Sequence, residues 1–495
     1  MFQKHKENFV KLDQFADKDK NIAEKEKKNL ADKMKIKELL KSDAGFQYII
    51  DSMDLMSAAG RRAMLEAAFR TSAPELEEEW DRLEEAIRAT NDIPNRRYYI
   101  DLRHCLMCLH DLSGTFASLA NHMPLNEVEL FEIKSLCSLS RSATTAIEGL
   151  ALGATLPLPD CSEPFAILDP DHTGIANFYI YDSYDPELPA LRRELNALQT
   201  SGGDPMRISD LLARQSEIQN RVCMRLSDEL RPWTETLVNT MEQMAYADFL
   251  LARAELAIRW NLVRPAVGDH IAYRQLFNPR VKQRNEEMHL RYQPVDIEVR
   301  SGVCLVTGAN MAGKTVLLKS IGTAQIMAQC GMFVPAEEAT VCLVEGVVTS
   351  IGDDQDEMNG LSSYASEIIK ISNILQSCRS ERLLVLIDEP ARTTNPVEGK
   401  ALVQAIIKIL ESLPSITLIT THYGQLGTDC RRLRVKGFVE GMENIPLTPQ
   451  SINRFIDYSL TEDQSDNVPH EALRIASILG CDEQLISLAQ ENINH

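Results

Sequence analysis

A short glycine-containing loop that ends in a lysine and a threonine is the part of the sequence best suited to chemistry. The apolar run at residues 303–307 precedes the segment Gly-Ala-Asn-Met-Ala-Gly-Lys-Thr, and a long apolar-periodic stretch follows it. A strand, a glycine loop and a helix in this order can hold a polyphosphate on backbone N–H groups and on the positive helix end. Lys314 can reach the outer phosphates and Thr315 can bind magnesium. The candidate nucleotide-binding residues are Gly308, Asn310, Met311, Ala312, Gly313, Lys314 and Thr315.

An acidic pair follows a second apolar run. Residues 383–387 are all aliphatic, and Asp388 and Glu389 come directly after them. Carboxylates at the carboxyl end of a parallel strand are suited to phosphoryl transfer, so we expect Asp388 to hold magnesium and Glu389 to polarise the attacking water. The alternative, a loop or helix cap, is less favoured because the phosphate loop lies upstream. His422, after another apolar run, could sense a γ-phosphate or orient the water, although a lone histidine is usually structural.

The elements that must position these residues alternate between strand and helix from about residue 271 to 440. This alternation predicts an α/β P-loop ATPase domain with a mostly parallel sheet and helices on both faces, preceded by a mainly α-helical region. The predicted divisions are a charged helical or disordered arm at 1–42, a mainly helical core and lever domain at 43–270 with a small β-hairpin near 165–182, the ATPase domain at 271–440, and a helical, capping or dimerisation appendage at 441–495.

Composition limits the partners and the location. The 495 residues carry a formal net charge of −20, which disfavours a large phosphate-binding surface without excluding a local basic patch. Residues 4–41 contain twelve lysines against eight acidic residues, a mixture more typical of a solvated or coiled-coil surface than of a nucleic-acid arm. No apolar run approaches the length of a membrane span, and eleven cysteines without small-scaffold spacing favour reduced thiols. We therefore expect a cytoplasmic protein.

One group of potential metal ligands stands apart from the loop. His104, Cys105, Cys108 and His110 lie close together, and the two cysteines are three residues apart in a predicted helix. No second ligand pair follows at zinc-site spacing, so a half-buried helix face is favoured over a metal or redox site.

The P-loop segment resembles the ATPase domain of the MutS family. The sequence at 307–315 is similar to the family's TGPNxxGK pattern, and the sequence at 328–336 is similar to its AQxGxxVPA pattern. The similarity continues, in the family's order, through Ile-Gly-Asp-Asp-Gln at 351–355, Leu-Ser-Ser-Tyr at 361–364, Asp-Glu-Pro-Ala-Arg-Thr-Thr-Asn-Pro at 388–396 and Thr-Thr-His-Tyr at 420–423. More weakly, residues 246–250 and 469–493 resemble the family's lever and closing helices.

The resemblance implies a Mg²⁺-dependent ATPase that works as a homodimer or heterodimer. It implies that Asn310, Lys314 and Thr315 bind ATP and magnesium, that Asp388 and Glu389 coordinate and catalyse, and that His422 assists. Ser362 matches a loop that family members insert into the partner subunit's nucleotide site. Composite sites of this kind imply that ATP opens and closes lever arms.

Two departures from the family pattern affect the expected output. Ala391 and Thr393 replace two glycines, so the backbone there is not expected to adopt positive φ freely, which bears on the hydrolysis rate. No mismatch-recognition domain is expected before the helical region. With this and the acidic charge, the chain resembles MutS-related reactivating factors of adenosylcobalamin-dependent lysine aminomutases. An ATP-driven factor that remodels a protein is favoured over a MutS-like ATPase that acts on mismatched or branched DNA, and a purely structural dimer is disfavoured because the Lys, Thr, Asp and Glu set is complete.

Overall fold

The computed structural model describes residues 34–40, 45–175, 177–308, 313–352, 363–438, 456–463, 473, 476 and 481–493. The chain divides into two compact units. The P-loop unit comprises the described parts of Met1–Met53, Ala67–Trp80 and Leu256–His495, and the helical unit comprises Asp54–Glu66 and Asp81–Glu255. No helix within the described ranges is long and apolar enough to cross a membrane.

The secondary structure alternates along the P-loop unit and is almost entirely helical elsewhere. The α-helices of the described ranges, numbered along the chain, are α1 Ile36–Leu39, α2 Phe46–Asp51, α3 Ala58–Glu66, α4 Ala73–Asn91, α5 Arg96–Met107, α6 Ser113–Ala120, α7 Glu127–Gly149, α8 Ser162–Ile167, α9 Leu188–Ser201, α10 Pro205–Leu230, α11 Thr234–Trp260, α12 Pro279–Glu287, α13 Lys314–Gln329, α14 Ser363–Ser377, α15 Pro396–Glu411 and α16 Glu483–Ile493. The strands are β1 Ala266–Gly268, β2 Ile271–Leu276, β3 Val295–Val299, β4 Gly302–Thr307, β5 Glu338–Cys342, β6 Gly346–Ser350, β7 Leu383–Asp388, β8 Ile416–Thr420, β9 Arg431–Phe438 and β10 Ile456–Glu462.

A six-stranded sheet with the order β10-β9-β4-β8-β7-β6 is the centre of the P-loop unit. All neighbouring strands are parallel except β10, which is antiparallel to β9. A second sheet, with the order β1-β5-β2-β3, is mixed. The predicted α/β class with a helical region before it is confirmed.

Burial on both faces explains why the central strands are so apolar. The first five residues of β7, and all five of β8, are buried. On one face, Leu305 and Val385 belong to a cluster that includes Ile374 of α14 and Ile407 of α15. Helix α13 has no residue in that cluster and neighbours β6, β7 and β8, so it covers the other face. Such two-sided covering is the usual environment of parallel strands.

In the helical unit, the break between α9 and α10 has a local cause. Gly202 caps α9 in a left-handed conformation at φ 66°. The Asp204 carboxylate then accepts a hydrogen bond of 3.0 Å from the Met206 N–H, and Pro205 occupies the first turn of α10. A left-handed glycine after one helix and an aspartate cap with proline before the next are the expected chain signals for this geometry.

The predicted hairpin near 165–182 is wrong. Its first residues, 165–167, belong to helix α8, whose start is marked by the Asp160 carboxylate accepting from the Ser162 N–H at 2.9 Å. Its second half forms no strand within the described residues, and its backbone groups bond to side chains of α7. The Ile180 N–H donates to Glu127 at 3.0 Å and the Asn177 carbonyl accepts from Lys134 at 3.0 Å.

The division boundaries also differ from the predicted ones. Strand β10 lies within the predicted helical appendage at 441–495, yet it is the edge strand of the main sheet and pairs with β9. At the other end, residues 34–40 lie within the predicted charged arm. There, Lys35 forms a bridge with Ala68, and Ile36 and Leu39 are buried. The short apolar stretches at 34–40 and 456–462 lie inside polar segments, and no feature of the sequence separates them from those segments. In the structure they join the core and the sheet of the P-loop unit.

Lys134 of the helical unit is a charged side chain with no exposed surface. Its ammonium lies 3.0 Å from Asp169 and donates to Tyr181 Oη at 3.1 Å. Burial opposes ionisation of Asp169, but hydrogen bonds from Thr173 and Gly174 together with Lys134 outweigh it and lower the pKa of the Asp169 carboxyl to about 2. The Asp169 carboxyl is therefore ionised at neutral pH, and the Lys134 amine bonds to Asp169, Asn177 and Tyr181.

We expect Lys134→Met to lower the free energy of unfolding at pH 7 by about 3–5 kcal/mol, because it leaves the Asp169 charge buried without a cation. The deficit should shrink towards pH 4. The depressed wild-type pKa makes the pair's contribution fall as the pH falls, while the orphaned carboxyl of the variant is relieved by taking up a proton. Urea unfolding at the two pH values measures this, with the exposed Arg88→Met as control. A deficit that does not change with pH would contradict the charge argument.

Candidate functional site

The phosphate loop follows the carboxyl end of β4 and ends where α13 begins. Gly313 caps the helix in a left-handed conformation at φ 76°, which a side chain rarely adopts. A β-carbon there would also lie 3.1 Å from the Tyr458 ring. The candidates Asn310, Met311 and Ala312 lie outside the described residues, whereas Gly308 and Gly313 frame the loop.

Lys314 contacts the residue at which the loop begins and one of the two acidic residues. Its ammonium donates to the Gly308 carbonyl at 2.8 Å and lies 3.2 Å from a Glu389 carboxylate oxygen. The side chain is only 5% exposed. The structure thus brings together the lysine of the loop and the second of the two acidic residues, which are 75 positions apart in the sequence.

Asp388 lies between two threonine hydroxyls. Thr315 Oγ1 donates to Asp388 Oδ2 at 2.6 Å, and Thr420 Oγ1 donates to Asp388 Oδ1 at 2.5 Å. Carboxylate and hydroxyl oxygens are hard ligands of the kind that Mg²⁺ prefers. Thr315 and Asp388 therefore form a donor set of the kind that would fit magnesium, and their role as ligands stays a prediction.

Thr420 was missed by the sequence analysis although it contacts both acidic residues. Besides its bond to Asp388, its hydroxyl accepts from the Glu389 N–H at 2.9 Å. Asp388 and Thr420 are register partners on the parallel strands β7 and β8. The sequence does show a hydroxyl residue at the end of β8. Its contact with Asp388 could be predicted only by knowing that β8 is the neighbour of β7 in the sheet.

His422 follows β8 and lies half-buried beside the Glu389–Lys314 pair. Burial lowers the pKa of His422; the Glu389 carboxylate opposes this shift, and Lys314 and Arg392 add to it. The imidazole is therefore neutral at pH 7. Its Nδ1 atom is buried and has no hydrogen-bond partner among the described residues. A neutral ring with an unused nitrogen can still exchange a hydrogen bond with a ligand or a water.

A cavity of about 210 Å³ opens beside Gly313 at the start of α13. Its wall is mainly apolar, with a few polar groups, as is usual for sites that bind small molecules. The residues that line it include Leu276, Val281, Gln293, Val316, Leu317 and Tyr458.

Gln293 is held at the rim of this cavity from two sides. Its amide nitrogen donates to Asp457 at 2.8 Å and its oxygen accepts from the Tyr458 N–H at 3.3 Å. Burial opposes ionisation of Asp457, but bonds from Gln293 and Ser459 and the nearby Lys436 hold the pKa of that carboxyl well below its usual range. Neither Gln293 nor Tyr458 could be identified from the sequence, because no motif connects them with the phosphate loop.

The backbone after Asp388 is strained. Glu389 has φ 45° and Ala391 has φ 59°, in the left-handed region that favours glycine. We expected that Ala391 would not adopt positive φ freely. The alanine does adopt a positive φ, and it does so at an energetic cost. Thr393 is not among the described non-glycine residues with positive φ.

Two other predicted features lie elsewhere. Ser362 is outside the described residues. His110 pairs with Glu132 at 3.6 Å, Cys105 is buried and Cys108 is exposed. No group of three or more His, Cys, Asp or Glu side chains in the described part of the chain is arranged to hold a metal ion.

The P-loop unit is similar in sequence to known proteins. Residues 304–495 match the family model of MutS domain V. The DNA mismatch repair protein MutS of Thermus aquaticus is 34% identical over 220 residues, 44% of this chain and 26% of that protein. Endonuclease MutS2 of Leuconostoc mesenteroides is 32% identical over 225 residues, and that of Thermus thermophilus is 33% identical over 239 residues, covering 27% and 30% of those proteins. The chain thus spans between a quarter and a third of the length of these three relatives, and its P-loop unit has the P-loop ATPase fold of MutS domain V.

Proposed function

We propose that the P-loop unit binds ATP with Mg²⁺ and hydrolyses it. The observation that carries this proposal is the bond between Thr315 and Asp388, 2.6 Å long, which joins the phosphate loop to the acidic strand end. Around it, Lys314 and Glu389 lie 3.2 Å apart and His422 is adjacent. These are the groups that phosphoryl transfer needs at one place: a phosphate-binding cation, magnesium ligands and a carboxylate to orient water.

Each side chain has a separate task in this proposal. Lys314 exchanges its contact with Glu389 for the outer phosphates, which frees the carboxylate to orient the attacking water. Thr315 and Asp388 hold Mg²⁺, which when bound neutralises charge on the phosphate oxygens. His422, neutral at pH 7, forms a hydrogen bond with the γ-phosphate or the water through its unused nitrogen. The cavity beside Gly313 receives the base against Tyr458.

We further propose that two such sites operate in a dimer. The support is the match to MutS domain V together with Ser362, which lies in a segment resembling the family loop that enters the partner's site. ATP binding then changes how the two copies engage and so moves the attached helices. Eleven free cysteines suit work in the reducing cytoplasm.

The output that we favour is remodelling of a protein partner. Six arginines on or next to α9 and α10 of the helical unit are each paired with a carboxylate, so a polyanion would have to displace those acids and remain close to them. The pairs are Arg192 with Asp182, Arg207 with Glu194, Arg214 with Glu187, Arg221 with Asp185, Arg225 with Glu229 and Arg231 with Asp228. In its narrowest form the partner is an adenosylcobalamin-dependent aminomutase, which rests on resemblance alone.

The second candidate is an ATPase that acts on DNA. It is favoured by the relatives, which are named as a DNA mismatch repair protein and as endonucleases. A local basic surface would be enough for this function despite the net charge of −20.

The two outputs differ in how ATP turnover depends on DNA and salt. For a protein-directed factor we expect hydrolysis to change by less than about twofold when homoduplex, mismatched or branched DNA is added between roughly 50 and 200 mM salt. Steady-state phosphate release measures this. Stimulation by DNA that weakens steeply with salt would favour the DNA-directed function instead. Absence of any Mg²⁺-dependent hydrolysis, with or without DNA, would contradict the ATPase proposal itself.

A further inference from the structure

The loop that carries Glu389 is held in a conformation that its own residues disfavour. Glu389 and Ala391 both have positive φ, and neither is a glycine. Left alone, such residues relax towards negative φ, because the left-handed region places the β-carbon too close to the backbone. A strained loop of this kind persists only where its surroundings impose it.

Two side chains grip the Ala391 peptide from opposite ends. The Ala391 N–H donates to a Glu367 carboxylate oxygen at 3.1 Å, and the Tyr423 hydroxyl donates to the Ala391 carbonyl at 3.0 Å. Ala391 itself is completely buried. Because both the donor and the acceptor of this residue are used, the peptide cannot rotate without losing two hydrogen bonds.

Gly399 of α15 makes room for this arrangement. A β-carbon at Gly399 would lie 2.2 Å from the Tyr423 oxygen and 3.0 Å from the Ala391 carbonyl oxygen. The Tyr423 ring also lies beside His422, with ring centroids 4.2 Å apart. Tyr423 therefore connects the strained loop at Ala391 with His422.

From this geometry we propose that Glu367 and Tyr423 are positioning residues for ATP hydrolysis, which act by holding Ala391 left-handed and so placing the Glu389 carboxylate; the inference rests on the proposed function. Neither residue needs to touch ATP. The clamp replaces the conformational freedom that a glycine would supply at position 391, and it ties the carboxylate to the segment that carries His422.

The clamp is tested with Tyr423→Phe, which removes the hydroxyl and keeps the ring beside His422. Losing one hydrogen bond to a strained peptide is expected to lower kcat for ATP about three- to tenfold while KM changes less than about twofold. Tyr179→Phe, at a half-exposed tyrosine of the helical unit, is the matched control and is expected to match the wild type in both constants.

Ala391→Gly separates a clamp acting through strain from a general packing role. Glycine adopts positive φ about as readily as negative φ, so residue 391 no longer depends on the clamp for its conformation. We expect Tyr423→Phe to lower kcat less than about twofold in the Ala391→Gly background. An equal loss in both backgrounds, or no loss in either, would overturn the inference.

The failure of this inference is distinguishable from the failure of the proposed function. If Glu389→Gln abolishes turnover while Tyr423→Phe leaves kcat unchanged, the ATPase stands and the clamp is wrong. If Glu389→Gln turns over normally, the proposed catalytic role fails, and the clamp fails with it.

Discussion

Lys314→Ala is expected to weaken ATP binding at least about 100-fold and to remove measurable hydrolysis. The wild-type Lys314 side chain is 5% exposed, and its ammonium already donates to the Gly308 carbonyl at the start of the phosphate loop. A charge placed in a buried, pre-oriented position contributes more than one in water, and 100-fold corresponds to about 2.7 kcal/mol. Titration calorimetry with ATP and Mg²⁺ measures the affinity directly.

The matched control for this change is Lys319→Ala in the same helix. Lys319 lies one turn and a half further along α13 and has no place in the candidate site. It should retain wild-type affinity and turnover, and circular dichroism should show both variants folded. ATP binding to Lys314→Ala within about threefold of the wild type would remove the loop from the proposed nucleotide site.

The positions of the main site residues could be predicted because parallel strands end at the same edge of a sheet. Lys314 and Thr315 follow β4, and Asp388 and Glu389 follow or end β7, so alternation of strands and helices was enough to bring them together. The strand order was not available in the same way. It places β8 between β4 and β7, and only this order makes Thr420 a contact of both acids.

Residues that reach the site from far along the chain escaped prediction for a different reason. Tyr458 belongs to β10, and the polar residues around this strand led to the prediction of a helical tail. Gln293 precedes β3 and is part of no recognisable motif. Their positions depend on the antiparallel pairing of β10 and on the Asp457 hydrogen bond, which are tertiary features. The left-handed Ala391 is similar, since its conformation is imposed by Glu367 and Tyr423 against local preference.

Glu389→Gln is expected to retain ATP binding and to lower kcat by about 10² to 10⁴, the usual contribution of a positioned general base. Glutamine has the same shape, so the Glu389 N–H bond to Thr420 and the left-handed backbone should persist. Its amide cannot accept a proton from water. Bound ATP should therefore accumulate, and single-turnover measurements should show a slow chemical step rather than slow binding.

The exposed Glu398→Gln on α15 is the control, because it removes one carboxylate close in sequence without touching the site. The structure adds a second expectation that a simple loss of charge does not share. Glu389 lies 3.2 Å from Lys314, so the wild-type carboxylate competes with phosphate for the ammonium, and glutamine does not. ATP affinity of Glu389→Gln should consequently equal or exceed that of the wild type. Normal turnover in this variant would transfer the role of base to another group, for which the neutral His422 is the candidate.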